Sequence, residues 1–207
     1  MKNKKIKYAI QFSIIITLII TSIFIYARFN YTDAIEFKRE YEALNTEVDE
    51  HGNNIHIWLN IPRINRVKIL SFDELINFLE SGTGIIYFGK PACPWSRMLI
   101  PGVLEFSREK RVNIYYYNIE EDLNTNNENY QKIVAFLYDY LPTDTITQNE
   151  TDENFNENLK RIILPHLFFL RNGVIKADQL FFEHEYLENN EKEKIKDLLK
   201  SMLQKAK

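Results

Sequence analysis

An uncharged apolar run near the start of the chain most constrains how this protein folds. It extends from Tyr8 to Ala27, contains the stretch SIIITLIITSIFIY and follows a basic tip, residues 1–7, with four lysines. At a rise of about 1.5 Å per residue, about 20 helical residues match a hydrocarbon layer of about 30 Å. The run therefore predicts a transmembrane anchor over residues 8–27.

A cleaved signal peptide and a buried globular helix are the two alternatives for this run. A signal peptide usually has an apolar core of about 7–15 residues and small residues at its cleavage site. Here the run ends in IYARFNY, without an Ala-x-Ala pattern. The basic tip predicts a cytoplasmic N-terminus. We therefore expect a single-pass protein of the cell membrane whose C-terminal domain is extracytoplasmic.

The remainder of the chain has the composition of a globular domain on a tether. Of the 207 residues, 45% are hydrophobic, and the net charge of −3 gives no reason to expect a nucleic-acid partner. Residues 28–54 are charged and lack a sustained apolar stripe apart from a short helix around 34–44, which predicts a stalk or linker. The folded domain is expected over residues 55–207.

Within that domain, local patterns predict strands and helices in the order β-α-β-α-β-α-β-β-α. The first strand is IHIWL, Ile55–Leu59, and a helix over 71–81 begins with the capping-box pair Ser71 and Glu74. GIIYFG, bounded by glycines, predicts a central strand. The later elements are a helix kinked at Pro101, a strand at 112–119, a helix at 129–141, a polar surface insertion at 142–160, a hairpin through Asn172-Gly173 and a C-terminal amphipathic helix.

The stretch PACPWSRMLIP holds Cys93, the only cysteine of the chain. A cysteine at a helix N-terminus lies among unpaired amides at the positive end of the helix dipole, which favours the thiolate and lowers its pKa below about 8.5. Lys90 and Arg97 add positive charge nearby, and the hydroxyl of Ser96, one turn along, could donate to the sulfur. We expect an exposed, reactive thiol between two prolines.

Strand–helix alternation, a cysteine where a strand enters a helix, Pro101 eight residues later and the segment LPHLFFLRNG together resemble the thioredoxin-like superfamily. The resemblance covers residues from about 55 to the end. It implies an α/β fold with a central mixed sheet flanked by helices. SGTGIIYFGKPACPWSRMLIPGVLE is most similar to membrane-anchored or secreted thioredoxin-like proteins of Gram-positive bacteria, including the bacteriocin-accessory group, which commonly carry Cys-Pro-x-Cys.

The resemblance also implies roles for single residues. Cys93 matches the nucleophilic cysteine, and Pro94 and Trp95 match the two variable positions after it. Pro165 matches the proline that the family holds in the cis form, and the backbone at Leu164 would pair with a bound peptide. His166 follows that proline at the groove, where it could also approach Cys93 as the base of a Cys–His nucleophile.

Two positions depart from the family pattern. Ser96 stands where the resolving cysteine belongs, and Tyr87 stands where many thioredoxins have a buried, proton-accepting aspartate. Without a second cysteine, the chain cannot release itself from a mixed disulfide and cannot act as a self-sufficient dithiol oxidoreductase. Whether the site has enzymatic activity is left open by the sequence.

Two functions remain open from the sequence. In the first, Cys93 exchanges with extracytoplasmic protein thiols and disulfides, or with a low-molecular-weight thiol, while Ser96 remains a non-redox neighbour. In the second, the site is a relict and the fold is a non-catalytic binding or accessory module for secretion or peptide export. His51, His56 and His184 are scattered, so we expect no metal site, and no cofactor is indicated.

Overall fold

The computed structural model of the protein describes residues 2–144, 148, 153, 156, 158–181 and 191–205, without the side chains of residues 2–7, 9, 27, 29–31, 191 and 192. Short 3-10 helices follow the first and fifth α-helices. In chain order the elements are α1 (Lys2–Glu42), β1 (Val67–Ile69), α2 (Phe72–Ser81), β2 (Gly84–Gly89), α3 (Pro94–Lys110), β3 (Ile114–Asn118), α4 (Glu120–Thr125), α5 (Glu128–Leu137), β4 (His166–Arg171), β5 (Val174–Leu180) and α6 (Glu191–Lys205).

The strands of the described chain form one mixed sheet in the order β1-β3-β2-β4-β5. β3 is parallel to both β1 and β2, whereas β4 runs antiparallel to β2 and β5 runs antiparallel to β4. Because β2 has a neighbour on each side and helices over each face, its residues from Ile85 to Gly89 are all buried. The predicted α/β architecture, a central mixed sheet flanked by helices, is confirmed.

Alternate residues of β2 point into two separate hydrophobic clusters. Ile85 and Tyr87 belong to the cluster formed with α1, α3 and α6, and Ile86 and Phe88 belong to the cluster formed with α2 and α5. The two-residue side-chain period of a strand produces this division. Cys93 lies in the second cluster.

The segment predicted as a stalk contributes to the first cluster. α1 continues without a break to Glu42, and its Ala34, Phe37 and Tyr41 are each at most 1% exposed. The Phe37 ring meets the ring of Tyr116 on β3 edge-on, with 4.9 Å between centroids. The packed domain therefore begins near Ala34 rather than at Ile55, and the range 28–54 is not a free linker throughout.

The prediction of a strand at Ile55–Leu59 is wrong. The side chain of Asn45 bonds both the amide and the carbonyl of Leu59, and Arg97 donates to the carbonyl of Ile57, so at these two residues side chains rather than a neighbouring strand satisfy the backbone. The hydrophobic alternation is misleading because Trp58 is 61% exposed while Leu59 packs on α1 and α3. The edge of the sheet is formed instead by β1.

Other local predictions are confirmed. Ser71 caps α2 through the full reciprocal capping box with Glu74. The predicted helix through Pro101 is α3, while the kink at that proline stays a prediction. Asn172 and Gly173, with φ of 51° and 74°, form the turn between β4 and β5, as their sequence predicts.

The polar insertion at 142–160 falls largely outside the described residues. The described parts pair Thr143 with Lys160 in an isolated antiparallel bridge, which closes the base of the segment. Within it, Asp144 is 5% exposed and lies 3.9 Å from the guanidinium of Arg161.

The predicted anchor is helical and belongs to α1. In the portion of the chain that the structure describes, no helix meets the length and apolarity required to cross a membrane. Positions 9 and 27 of the predicted anchor are among those whose side chains are not described.

Candidate functional site

Cys93 is the N-cap residue of α3, as the sequence predicts, and Pro94 occupies the first helical turn. The expectation of an exposed thiol is wrong, because Cys93 is only 8% exposed. Its carbonyl accepts the first helical bond from the amide of Arg97 at 3.0 Å. The thiol is therefore fixed at the helix N-terminus but is covered by its surroundings.

The thiol faces the segment before β4. Sγ of Cys93 lies 3.8 Å from the carbonyl oxygen of Leu164, a distance at which the thiol donates a weak hydrogen bond. The Leu164–Pro165 peptide bond is cis, as the resemblance implied. The structure thus joins Cys93, Leu164 and Pro165 from chain positions about 70 residues apart. Leu164 is itself 8% exposed, and the contact with Cys93 covers the backbone group expected to pair with a peptide.

The remaining residues predicted to line a groove differ in exposure. Pro94 is exposed, and Trp95 is half-buried against the cluster that contains Cys93. His166 is 1% exposed, so it does not face an open groove. The accessible part of the site is therefore confined to the first turn of α3.

His166 is held by Asp178 on β5, with 3.1 Å between Nε2 and Oδ2. Its Nδ1 is buried without a hydrogen-bond partner among the described residues. Burial lowers the pKa of His166, while Asp178 opposes the shift. No described hydrogen bond connects His166 to Cys93, and the geometry gives no support to a Cys–His nucleophile.

Ser96 is fully buried, and contrary to expectation its hydroxyl does not donate to the sulfur of Cys93. Oγ of Ser96 accepts from the amide of Lys90 at 3.4 Å, while its carbonyl accepts from the hydroxyl of Tyr87 at 3.3 Å. In the described part of the chain, no hydrogen bond joins Ser96 to Sγ of Cys93. Ser96 thus closes the loop that connects β2 to α3, which is a structural role.

Tyr87 presents a neutral hydroxyl at the position where the resemblance leads us to expect a proton-accepting aspartate. Burial raises the pKa of Tyr87, and the hydroxyl lies 3.4 Å from that of Tyr41, whose pKa burial also raises. Both phenols are protonated at neutral pH. A Cβ at Gly89 would lie 2.6 Å from the Tyr87 hydroxyl, so glycine at this position leaves room for the ring. No base stands at this position to activate a thiol at residue 96.

Arg97 does not direct its charge at Cys93 but is fully buried against the end of α1. Nη1 donates to the carbonyls of Tyr41 at 2.7 Å and Pro91 at 3.1 Å, and Nε donates to that of Ile57 at 2.8 Å. Nη2 donates to Oδ1 of Asn45 at 2.7 Å. We call this set of contacts the Arg97 clamp. It fixes the cysteine loop to α1 and to the segment after it.

The electrostatics of the Arg97 clamp are unusual, because none of its four hydrogen-bond acceptors is a carboxylate. Burial lowers the pKa of Arg97, yet arginine remains charged in proteins. The carbonyls at the C-terminus of α1 carry the negative end of its dipole and stabilise the cation. The sequence did not predict that Arg97 binds the end of α1. Its only signal was the presence of an arginine beside the cysteine motif.

The other cation predicted near the thiol is also engaged elsewhere. Nζ of Lys90 lies 3.7 Å from a carboxylate oxygen of Glu120 at the start of α4. No group of three or more His, Cys, Asp or Glu side chains in the described ranges has the arrangement of a metal site. The site therefore consists of a covered thiol, a cis-proline segment and a buried polar clamp.

Comparisons with known proteins add little to this geometry. No protein-family model matches the sequence, and no curated protein sequence matches it significantly. Among solved structures, the chain is similar to oxidised thioredoxin O2 from Arabidopsis thaliana, at 19% identity over 69% of this chain and 96% of that chain, with a TM-score of 0.41. A likeness at this level says nothing about activity, and the fold assignment rests on the strand order and directions.

Proposed function

We propose that this protein is a membrane-anchored, extracytoplasmic thioredoxin-like protein that forms mixed disulfides through Cys93. The observation that supports it best is the placement of Cys93 at the N-cap of α3 with Sγ 3.8 Å from the carbonyl of Leu164, next to cis Pro165. A client segment extended along that backbone would bring its sulfur to the thiol. The anchor is the apolar run from Tyr8 to Ala27, with the N-terminus in the cytoplasm.

The exchange needs no external oxidant, because the client disulfide supplies the oxidising equivalents for the new S–S bond. The Cys93 thiolate attacks one sulfur of a client disulfide, a new S–S bond joins Cys93 to the client, and the second client sulfur leaves as a thiolate that takes up a proton. A client thiol or a low-molecular-weight thiol then attacks the mixed disulfide and frees Cys93. Because Ser96 cannot attack, the adduct persists until such a thiol arrives.

The burial of Cys93 sets a condition on this chemistry. At 8% exposure the sulfur is reached only after the contact with Leu164 gives way. The same burial favours the second candidate, a non-catalytic binding or accessory module for secretion or peptide export. The rate at which the native thiol reacts separates the two functions.

The deciding experiment is incubation of the purified full chain with oxidised glutathione at near-neutral pH, followed by intact-mass measurement. Exchange predicts a single adduct on the native protein, with the Cys93→Ser variant as the unreactive control and the urea-unfolded chain as the fully reactive one. Reaction only after unfolding would reject the exchange function in favour of the binding module. Trapping adducts on intact cells and identifying the attached molecule would then define the client.

The anchor is tested separately from the thiol. We expect the chain to remain with membranes after alkaline carbonate extraction, and external protease to degrade the C-terminal domain in whole cells while sparing the N-terminal tip. Release by carbonate would refute membrane spanning and leave the chemistry of Cys93 unaffected.

A further inference from the structure

A cavity of about 970 Å³ lies on the opposite end of α3 from Cys93. Its walls come from α1, from the segment between α1 and β1, and from the C-terminal half of α3. The apolar part includes Tyr26, Ala34 and Leu104. The cavity therefore begins at the end of the apolar run and extends into the folded domain.

The rim of the cavity is basic. Arg66, Arg108 and Arg111 line it, and all three side chains are exposed. Arg108 has Glu105 at 4.0 Å, whereas in the described part of the chain no ion pair involves Arg66 or Arg111. Ile64, at the same rim, is 85% exposed. An apolar floor beside two unpaired arginines, Arg66 and Arg111, and the Arg108–Glu105 pair is complementary to an acyl chain below an anionic headgroup.

The helix geometry places this cavity at the membrane surface if the apolar run spans the bilayer. α1 continues without a break from the run into the domain, and Ala34, seven residues after Ala27, is already buried in it. Seven helical residues advance only about 10 Å, and each headgroup region is about 5–8 Å deep, so Ala34 lies just beyond it and arginine side chains at that level reach back into it. The rim arginines would therefore lie among lipid phosphates.

The orientation of α3 agrees with this placement. Arg97 near its start contacts the end of α1 at Tyr41, whereas Arg108 near its end lines the cavity with Ala34 and Tyr26. The two helices are thus antiparallel, and Tyr41 lies about 22 Å along α1 from Tyr26. Cys93 is directed away from the surface on which the cavity opens.

We propose that this cavity binds one anionic phospholipid, with its phosphate between Arg66, Arg108 and Arg111 and acyl carbon against Leu104 and Ile64. The inference rests on the proposed anchor but not on the chemistry of Cys93. The bound lipid fixes the domain on the bilayer and holds the thiol about 20 Å from the edge of the hydrocarbon layer, measured along α1.

The test uses the full chain in a nonionic detergent with equal amounts of dioleoylphosphatidylglycerol and dioleoylphosphatidylcholine. Lipid retained after gel filtration is counted by mass spectrometry. We expect phosphatidylglycerol to be retained preferentially, and Arg66→Gln/Arg111→Gln to lower that preference on the order of tenfold, since each basic residue contributes to binding an anionic headgroup. The matched control is Arg171→Gln/Lys176→Gln, which removes the same charge at the opposite edge of the sheet and should leave the preference unchanged.

Three outcomes would overturn the proposal: equal retention of the two lipids, an equal loss in the control variant, or displacement of phosphatidylglycerol by millimolar inorganic phosphate, which would indicate a site for free phosphate. Single variants at Arg66 and Arg111 serve if the double variant unfolds. Cys93→Ser should retain the lipid, and carbonate extraction reports on the anchor alone, so failure of the lipid site is distinguishable from failure of the proposed function.

Discussion

Replacing Arg97 with methionine tests whether the Arg97 clamp holds the cysteine loop to the N-terminal helix. The guanidinium makes four hydrogen bonds of 2.7–3.1 Å to Tyr41, Asn45, Ile57 and Pro91. Hydrogen bonds to a charged group contribute about 1.5–3 kcal/mol each. Burying the cation costs several kcal/mol in return, so removing it is expected to lower the free energy of unfolding by about 3–5 kcal/mol.

The assay is urea unfolding of the full chain in detergent, followed by tryptophan fluorescence. Arg108→Met is the matched control, because the same change on the exposed side of the same helix is expected to alter stability by less than about 0.5 kcal/mol. Alkylation of Cys93 gives a second measurement, since release of the Pro91 carbonyl should loosen the loop and speed the reaction. A loss for Arg97→Met no larger than for the control, with unchanged alkylation, would refute the clamp.

Three further predictions follow from particular contacts. Gly173→Ala should destabilise the protein by at least about 1 kcal/mol more than Gly52→Ala, because both glycines have positive φ but only at residue 173 would a Cβ collide with a carbonyl of α2; equal losses in urea unfolding would contradict this. Burial lowers the pKa of His166 from its ordinary value of 6.5, so below that pH the unfolded chain takes up a proton at His166 more readily than the folded chain does. The free energy of unfolding therefore falls as the pH drops from 6.5 toward the lowered pKa, and the His166→Gln variant should lose less stability than wild type between about pH 7 and pH 5. Stability profiles of wild type and variant that run parallel over this pH range would contradict the prediction. Ser96→Cys should give weak insulin reduction, because the protonated Tyr87 supplies no base for the new thiol; turnover equal to that of a dithiol thioredoxin assayed in parallel would disprove this reasoning.

Local signals in the sequence were sufficient for many elements. The capping box at Ser71 satisfies amides within one helical turn, and Asn172-Gly173 adopts the positive φ values that its turn requires. The glycine-bounded run of β2 has two buried faces because it is apolar at every position. These features depend on residues a few positions apart, which is why the sequence alone predicts them.

The errors arose where distant residues decide the outcome. Ile55–Leu59 alternates like a strand, but Asn45 and Arg97 occupy its backbone groups. The charged segment after the apolar run resembles a tether, but a few well-spaced aromatic residues such as Phe37 pack into the sheet. The buried positions Ala34, Phe37 and Tyr41 cover too few helical turns to stand out as an apolar stripe in the sequence.

The sequence by itself determined that the chain has a single thiol, that this thiol caps a helix after a buried strand, and that a serine replaces any resolving partner. The tertiary structure decided that the thiol is covered by Leu164, that Ser96 faces Lys90 instead of the sulfur, and that Arg97 turns toward α1. The order of residues fixes which side chains the site contains and where each lies on its helix or strand. The contacts of Cys93 with Leu164 and of Arg97 with Tyr41 and Ile57 join segments 40 or more residues apart, and only folding forms those contacts.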